Sequence, residues 1–153
     1  CSTTHDLPTI AGFWTGRDIE SRREAELISG QACESMLAAR AVEKQNLLAT
    51  LRGLNLLPDW YPADAAAIPE FTGELHNAVM GFLAMTGSAL LLVNQEDLTK
   101  ETEQQNLPGS THQYPNWRRK MKYTVEELET SPRIHDFCAM FRGWLERSGR
   151  LRA

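Results

Sequence analysis

The spacing of apolar positions along the chain is mostly helical. Three segments carry apolar residues at intervals of three and four, the pattern of a helix that buries one face. They predict helices over residues 32–54, 70–86 and 132–148. The apolar stripes are Leu37, Ala41, Leu48 and Leu51, then Leu75, Val79, Phe82 and Leu83, and finally Ile134, Phe137, Cys138, Phe141, Trp144 and Leu145. Opposite the first stripe, Arg40, Glu43 and Lys44 are expected to face solvent.

Helix-start signals add to this pattern. Asp18 is expected to cap a first helix that ends at Gly30. Thr124 and Glu127 have the spacing of a capping box, in which each residue satisfies a backbone N–H at the start of a helix. Ser131-Pro132 has the cap-then-proline order of another helix start.

One apolar run lacks helical spacing. Residues 89–93, ALLLV, show no alternation either, which predicts a strand buried on both faces of a parallel sheet. Residues 1–6 resemble the end of a second strand, and Pro8 and Gly12 are expected to keep residues 7–14 in a loop. The succession of strand, helices, strand, loop and helix favours a helix-dominated α/β fold. Two strands cannot form a parallel sheet alone, so we expect residues 1–153 to be a single-domain piece of a larger protein.

Composition and charge narrow the class of protein. The 153 residues are 42% hydrophobic and 24% charged, with a formal net charge of −4 and no block of like charge. This balance argues against nucleic acid or a membrane as a partner. The three cysteines, Cys1, Cys33 and Cys138, are too scattered for a zinc site or a disulfide framework. We expect buried, reduced thiols in a cytoplasmic protein, with no metal and no cofactor.

A long segment without periodicity follows the predicted strand. Residues 106–119, NLPGSTHQYPNWRR, combine two prolines, a glycine, a tryptophan and paired arginines. Long irregular loops at the ends of buried strands often carry binding or catalytic residues. A surface loop stiffened by its prolines is an equally good interpretation of the composition alone.

His5 and Asp6 form a second unusual pair, at the end of the first predicted strand. A carboxylate there could hydrogen-bond sugar hydroxyls and stabilise positive charge at a reacting carbon. From these residues alone the simpler interpretation is favoured, in which Asp6 turns the chain before Pro8 and His5 only packs.

The remaining candidates are weaker. His76 and His135 lie on predicted helices and are expected to be surface residues or satisfied core residues, and His112 has no clear acid–base partner. Trp14 and Trp117 could each offer a flat apolar face to a sugar ring, although packing in the core is the expected role of both.

Two segments together resemble, in the same order, two motifs of the amylomaltases, the bacterial 4-α-glucanotransferases of glycoside hydrolase family 77. The first segment is THDLPTIAGFW at residues 4–14, followed by GRD at 16–18. The second joins LLLV, QEDL, NLPG and PNWRR, at residues 90–93, 95–98, 106–109 and 115–119. The resemblance covers nearly the whole chain, and Leu-Pro after His-Asp is similar to the enterobacterial branch.

This resemblance implies the last βα units of a (β/α)₈ barrel that cleaves an α-1,4-glucan, holds the glycosyl unit covalently and transfers it to another sugar hydroxyl. It implies that Asp6 is the transition-state stabiliser and that His5 contacts the sugar. It also implies a loop at the border of the glucan cleft, with substrate-binding positions Asn106, Pro108, Gly109, Asn116, Trp117 and Arg118.

The family's nucleophile and acid/base belong to strands outside this chain. Glu20, Glu24 and Glu26 are expected on a solvated helix face, and none of them has the context to replace those residues. A whole barrel takes about 250 residues, so we expect the chain to need the upstream part of the same enzyme and to be inactive alone. The alternative is a non-catalytic helical interaction or carbohydrate-binding module.

Overall fold

Seven α-helices and one 3₁₀ turn form the regular structure of residues 1–151, the part of the chain that the computed structural model describes. The elements, in chain order, are α1 (Ile10–Thr15), α2 (Arg17–Glu24), α3 (Gly30–Gly53), the 3₁₀ turn (Ala65–Ala67), α4 (Gly73–Ala84), α5 (Gln95–Thr99), α6 (Val125–Thr130) and α7 (Pro132–Arg147). The predominance of helix follows from the apolar spacing described above.

The main core lies where α1, α3, α4 and α7 meet. Leu48 and Leu51 of α3 and Leu75 of α4 are fully buried, so the predicted stripes face one another here. Trp14 of α1 is 1% exposed, and its indole N–H donates to the carbonyl of Ile68 at 2.9 Å. The expected core role of Trp14 is confirmed.

Side-chain caps begin several of the helices. Ser29 accepts a hydrogen bond from the amide of Ala32 at the start of α3, and Thr72 caps α4 in the same way. Thr124 and Glu127 form both hydrogen bonds of the predicted capping box at α6. Pro132 occupies the first turn of α7, as the sequence predicts.

The N-terminal segment differs from its prediction. Residues 10–15 form helix α1, because Thr9 accepts a hydrogen bond from the amide of Gly12 and Pro8 lies before this cap, where its missing N–H costs nothing. Gly16, with φ of 80°, separates α1 from α2. The helix expected over residues 18–30 is therefore α2, which ends at Glu24.

Asp18 is not a helix cap but a buried ion-pair partner. Its two carboxylate oxygens accept from Nη1 and Nη2 of Arg40 at 2.8 and 2.9 Å. The prediction that Arg40 faces solvent is thus wrong, because α2 folds back over α3 and covers this part of its polar face. Arg40 also donates to the carbonyl of Phe13, which joins α1 to the same pair.

The predicted strand over residues 89–93 does not form, and residues 1–151 contain no strand. Leu90 and Leu92 are 78% and 63% exposed, the opposite of the burial expected. A strand needs neighbours for its backbone groups. Between the two segments predicted as strands, the structure has one backbone hydrogen bond, from the amide of Ser2 to the carbonyl of Leu92 at 2.8 Å. The observed class is helix-rich, and the α/β interpretation is not reproduced in the described residues.

Smaller expectations also changed. Cys33 is buried, but Cys1 and Cys138 are exposed, so burial of all three thiols was wrong. Arg150, expected in a loose tail over residues 150–153, donates to the carbonyls of Ala84 and Thr86. The last two positions of that tail lie outside the described residues. Within residues 1–151, no helix has both the length and the apolar character needed to cross a membrane.

Candidate active site

Residues 2–10 reverse direction at His5–Asp6 and end at the first residue of α1. This segment, the 2–10 turn, is attached at both ends to the segment around α5. At its start, the amide of Asn94 donates to the hydroxyl of Ser2. Near its end, the hydroxyl of Thr9 donates to the carbonyl of Glu101. Between these attachments the side chains of His5 and Asp6 project outward and are 57% and 50% exposed.

Asp97 of α5 joins the two ends of this turn. Its carboxylate is 1% exposed and accepts from the hydroxyls of Ser2 and Thr3 and from the amide of Ile10. Asp97 was not among the site residues predicted from the sequence. The signal that could have found it is an acidic residue shortly after an apolar run, within the QEDL motif.

Asn106 brings the two sequence segments together. Its side-chain amide donates to Oδ1 of Asp6 at 2.6 Å, and its backbone amide donates to the carbonyl of His5 at 3.2 Å. The Nε2 atom of His5 lies 3.3 Å from Oδ2 of Asp6. Both carboxylate oxygens of Asp6 therefore have a polar neighbour, while half of the side chain stays open to solvent.

The loop that carries Asn106 is organised by Asn116. The Oδ1 atom of Asn116 accepts from the amide of Leu107, whose side chain is fully buried. Its Nδ2 atom donates to the hydroxyl of Ser110 at 2.8 Å and to the carbonyl of Thr111 at 3.2 Å. Gly109, with φ of 88°, makes the bend between these contacts in a conformation that suits glycine. Asn116 thus acts as an internal brace.

Trp117 lies on the surface beside His5. Its side chain is 64% exposed, and the two ring centroids are 5.1 Å apart with the planes tilted by 46°. Trp117 has φ of 58°, an uncommon conformation for a residue with a side chain. Its amide donates to the carbonyl of Gln105, which fixes its place next to the turn. The expectation that Trp117 packs in the core is therefore wrong.

A cleft of about 440 Å³ lies between the turn, the segment around the start of α5 and Gln104–Gln105, and Trp117 is the one residue of the 106–119 loop among the residues that line it. His5 and Trp117 line it together with polar groups from Thr4, Asn94 and Gln105. Of the other predicted site residues, Asp6, Asn106, Pro108, Gly109, Asn116 and Arg118 are not among the lining residues. Arg118 is exposed and makes a long contact of 3.5 Å with the carbonyl of Tyr114. An aromatic face beside several hydrogen-bonding groups suits a sugar ring.

Glu103 supports the base of the loop, and sequence reasoning missed it. Its carboxylate accepts from Arg17 at 2.6 Å, from Arg119 at 3.0 Å and from the hydroxyl of Tyr114 at 3.0 Å. Burial, and after it the negative charge of Glu103, raises the pKa of Tyr114 to about 12. The hydroxyl of Tyr114 also donates to the carbonyl of Gln104 at 2.8 Å. Arg17 also pairs with Glu24, which was expected to be solvated.

His76 is the one candidate histidine that is buried, and it stacks on Phe137 with ring centroids 4.9 Å apart. Its Nε2 atom has no hydrogen-bond partner among the described residues. His76 is therefore a core residue with one unsatisfied polar atom, and not the satisfied residue that was expected. Burial, with a contribution from the charge of Lys100, lowers the pKa of His76 to about 4. His112 and His135 are exposed. Residues 1–151 contain no group of three or more side chains placed to hold a metal ion.

Comparison with known proteins agrees with the resemblance drawn from the motifs. A family model described as 4-alpha-glucanotransferase, glycoside hydrolase family 77, matches residues 1–126. The chain is similar to the 4-alpha-glucanotransferase of Haemophilus influenzae, with 32% identity over 134 residues, which is 88% of this chain and 19% of that protein. It is also similar to the 4-alpha-glucanotransferases of Mycobacterium bovis and Mycobacterium tuberculosis, with 34% identity over 116 residues, or 76% of this chain and 15% of each relative.

The chain thus spans less than a fifth of the length of these relatives. The family match nevertheless includes the His5–Asp6 turn, α5 and the whole 106–119 loop. These findings show that the chain belongs to glycoside hydrolase family 77, the 4-alpha-glucanotransferase family.

Proposed function

We propose that this chain is the C-terminal part of a 4-alpha-glucanotransferase that transfers α-1,4-glucan segments by a retaining mechanism. In this proposal Asp6 is the carboxylate that stabilises the transition state, and His5 contacts the same sugar. The observation that carries it is the 2.6 Å hydrogen bond from Asn106 to Asp6, which orients a half-exposed carboxylate next to His5, a residue that lines the cleft.

The chemistry of retaining glycosyl transfer explains why a held carboxylate is useful. A nucleophile and an acid/base about 5–5.5 Å apart act on the anomeric carbon, and the transition state resembles an oxocarbenium ion. A further carboxylate can accept hydrogen bonds from ring hydroxyls more strongly as positive charge develops. Because Asn106 already orients Asp6, little reorganisation is needed when that charge appears.

The loop would form one border of the glucan site. Trp117 and His5 present adjacent rings to the cleft, and a glucose unit could stack on the exposed indole. Asn106 would hold Asp6, while Pro108 and Gly109 would shape the bend above it. Asn116 and Arg118 would stabilise the loop through their contacts with Leu107 and Tyr114.

The rest of the enzyme would supply the other parts of a (β/α)₈ barrel. Residues 1–6 and 89–93 would then be the strands that the sequence predicts, paired with neighbours from the remainder of the protein. The single Ser2–Leu92 hydrogen bond and the exposed Leu90 and Leu92 are consistent with that completion. The nucleophile and the acid/base would lie on other strands, so the whole of residues 1–153 would be inactive without them. We further propose that the whole enzyme is cytoplasmic, acts in maltodextrin or glycogen metabolism and needs no cofactor.

Substitution of Asp6 in the full-length enzyme tests the proposal. We expect Asp6→Asn to reduce kcat for maltotriose disproportionation by on the order of 10³-fold, the effect of losing one preorganised group at the reacting centre. The Tm should change little, because the side chain is half exposed.

Asp59→Asn is a matched control, since Asp59 is an exposed carboxylate on the connector between α3 and α4. Near-normal activity of Asp6→Asn would instead favour a non-catalytic interaction or carbohydrate-binding module. If residues 1–153 alone showed transfer activity, the proposal that the nucleophile and the acid/base lie in the rest of the enzyme would be contradicted.

A further inference from the structure

Asp97 is a buried carboxylate to which the proposed function assigns no role. We propose that Asp97 is a positioning residue, which holds the 2–10 turn so that Asp6 and His5 meet the substrate in a fixed orientation. This inference rests on the proposed function of Asp6.

The three donors to Asp97 all belong to the turn and lie on both sides of Asp6. Ser2 and Thr3 donate their hydroxyl protons from the side before it, and the amide of Ile10 donates at 2.8 Å from the side after it. One carboxylate therefore closes the turn over residues 4–9. Because Asp97 lies in α5, both ends of the turn are attached to the same helix.

Burial makes this attachment strong. The Asp97 side chain is 1% exposed, and a buried carboxylate is tolerated only where hydrogen-bond donors replace its hydration. Any movement of the turn away from α5 would leave that charge without partners. The arrangement consequently opposes displacement of either end of the turn.

Neighbouring contacts act in the same direction. The side-chain amide of Asn94 donates to the hydroxyl oxygen of Thr3 at 2.9 Å, and the hydroxyl of Thr9 donates to the carbonyl of Glu101. Asp6 is held from the other side by Asn106. Two separate contacts thus position Asp6: Asp97 holds the ends of the turn, and Asn106 holds the Asp6 carboxylate itself.

A double-mutant cycle in the full-length enzyme separates positioning from general stabilisation. Asp97→Asn keeps the shape but replaces one acceptor oxygen by a donor group. We expect it to lower kcat by up to about 100-fold, the effect of a displacement of about 1 Å, with KM within a factor of about two. If Asp97 acts through Asp6, the same substitution in an Asp6→Asn background should cause almost no further loss.

Asp18→Asn is the matched control, because Asp18 is also a buried carboxylate but is paired with Arg40 and does not contact the turn. It should lower Tm and leave kcat unchanged well below the unfolding temperature. If Asp97→Asn does not fold, Ser2→Ala combined with Thr3→Val removes two donors while the charge keeps its bond to Ile10.

The outcomes distinguish the two proposals. Normal kcat in the Asp97→Asn enzyme, or an equal loss in the presence and absence of Asp6, would overturn the positioning role. Normal kcat in Asp6→Asn would overturn the proposed function itself, whatever the Asp97 variant does.

Discussion

The side-chain amide of Asn106 donates a hydrogen bond of 2.6 Å to Oδ1 of Asp6, although the two residues are 100 positions apart in the chain. The contact joins the 2–10 turn to the 106–119 loop and sets the orientation of an exposed carboxylate. Neither residue is buried, so the contact contributes little to folding and its main consequence is geometric.

Asn106→Ala is therefore expected to affect activity more than stability. Without the amide, Asp6 loses the hydrogen bond that orients its Oδ1 atom, and kcat of the full-length enzyme should fall about tenfold to 100-fold. Steady-state kinetics with maltotriose and a thermal melt measure the two effects separately. Asn46→Ala, at an exposed position of α3, is the control and should leave both unchanged. A large loss of Tm with normal kcat would show that the contact is structural.

Trp117 provides a test of the proposed sugar platform. Trp117→Gly removes the ring but suits the positive φ of 58° at this position. KM for maltodextrins should rise roughly threefold to tenfold, the equivalent of losing about 0.5–1.5 kcal/mol of aromatic contact. The free energy of unfolding should change by less than about 1 kcal/mol, because relief of backbone strain offsets the added freedom of the unfolded chain.

Trp60→Ala is the matched control for Trp117, since Trp60 is 71% exposed and is not among the residues that line the cleft. Its removal should leave KM unchanged. An equal rise in KM from the two substitutions would indicate that Trp117 does not act through contact with a sugar in this cleft.

Gly12 lies at a close approach between α1 and the segment after α5. A Cβ atom at this position would lie 2.3 Å from the carbonyl oxygen of Thr102 and 2.9 Å from the hydroxyl of Thr9. Gly12→Ala should therefore separate the two segments and destabilise the protein by about 3 kcal/mol, the upper end of the range for overpacking. A lower Tm and faster amide exchange in residues 9–12 would be the measured result.

Gly53→Ala is the appropriate comparison, because a Cβ atom at this position, at the end of α3, would have no neighbouring atom within 4 Å. It should be neutral or stabilising by less than about 1 kcal/mol. If Gly12→Ala proved equally harmless, the tight contact with Thr102 would not be part of the folded state.

His76 gives the protein a pH dependence with a defined sign. Its pKa is lowered from 6.5 to about 4, so the unfolded chain binds a proton that the folded chain does not bind between these values. Stability is therefore fully present above about pH 6.5 and is lost as the pH falls towards 4, by on the order of 3 kcal/mol. Thermal melts between pH 7 and pH 4 measure this loss.

His76→Phe should make the loss smaller, because a phenyl ring keeps the stacking on Phe137 and does not titrate. The comparison variant is His135→Gln, at an exposed position of α7, which should keep the wild-type pH dependence. An unchanged pH dependence in His76→Phe would show that His76 does not titrate in this range.

The sequence by itself determined the long helices. The apolar stripe with Leu48 and Leu51, the capping box of Thr124 and Glu127 and the proline at the start of α7 are local signals, and each depends only on residues within a few positions. The motifs also identified the family, because residue types in a fixed order can be compared without knowledge of their contacts.

Only the tertiary structure decided how distant segments meet. The QEDL motif marks Asp97 as an acidic residue after an apolar run, but the residues that it binds could not be read from the sequence, since its three donors lie about ninety positions earlier in the chain. Arg40 looked like a solvent-facing charge until α2 brought Asp18 against it. Residues 89–93 have the composition of a buried strand, but strand formation depends on neighbours that residues 1–151 do not supply, whereas a helix satisfies its own backbone.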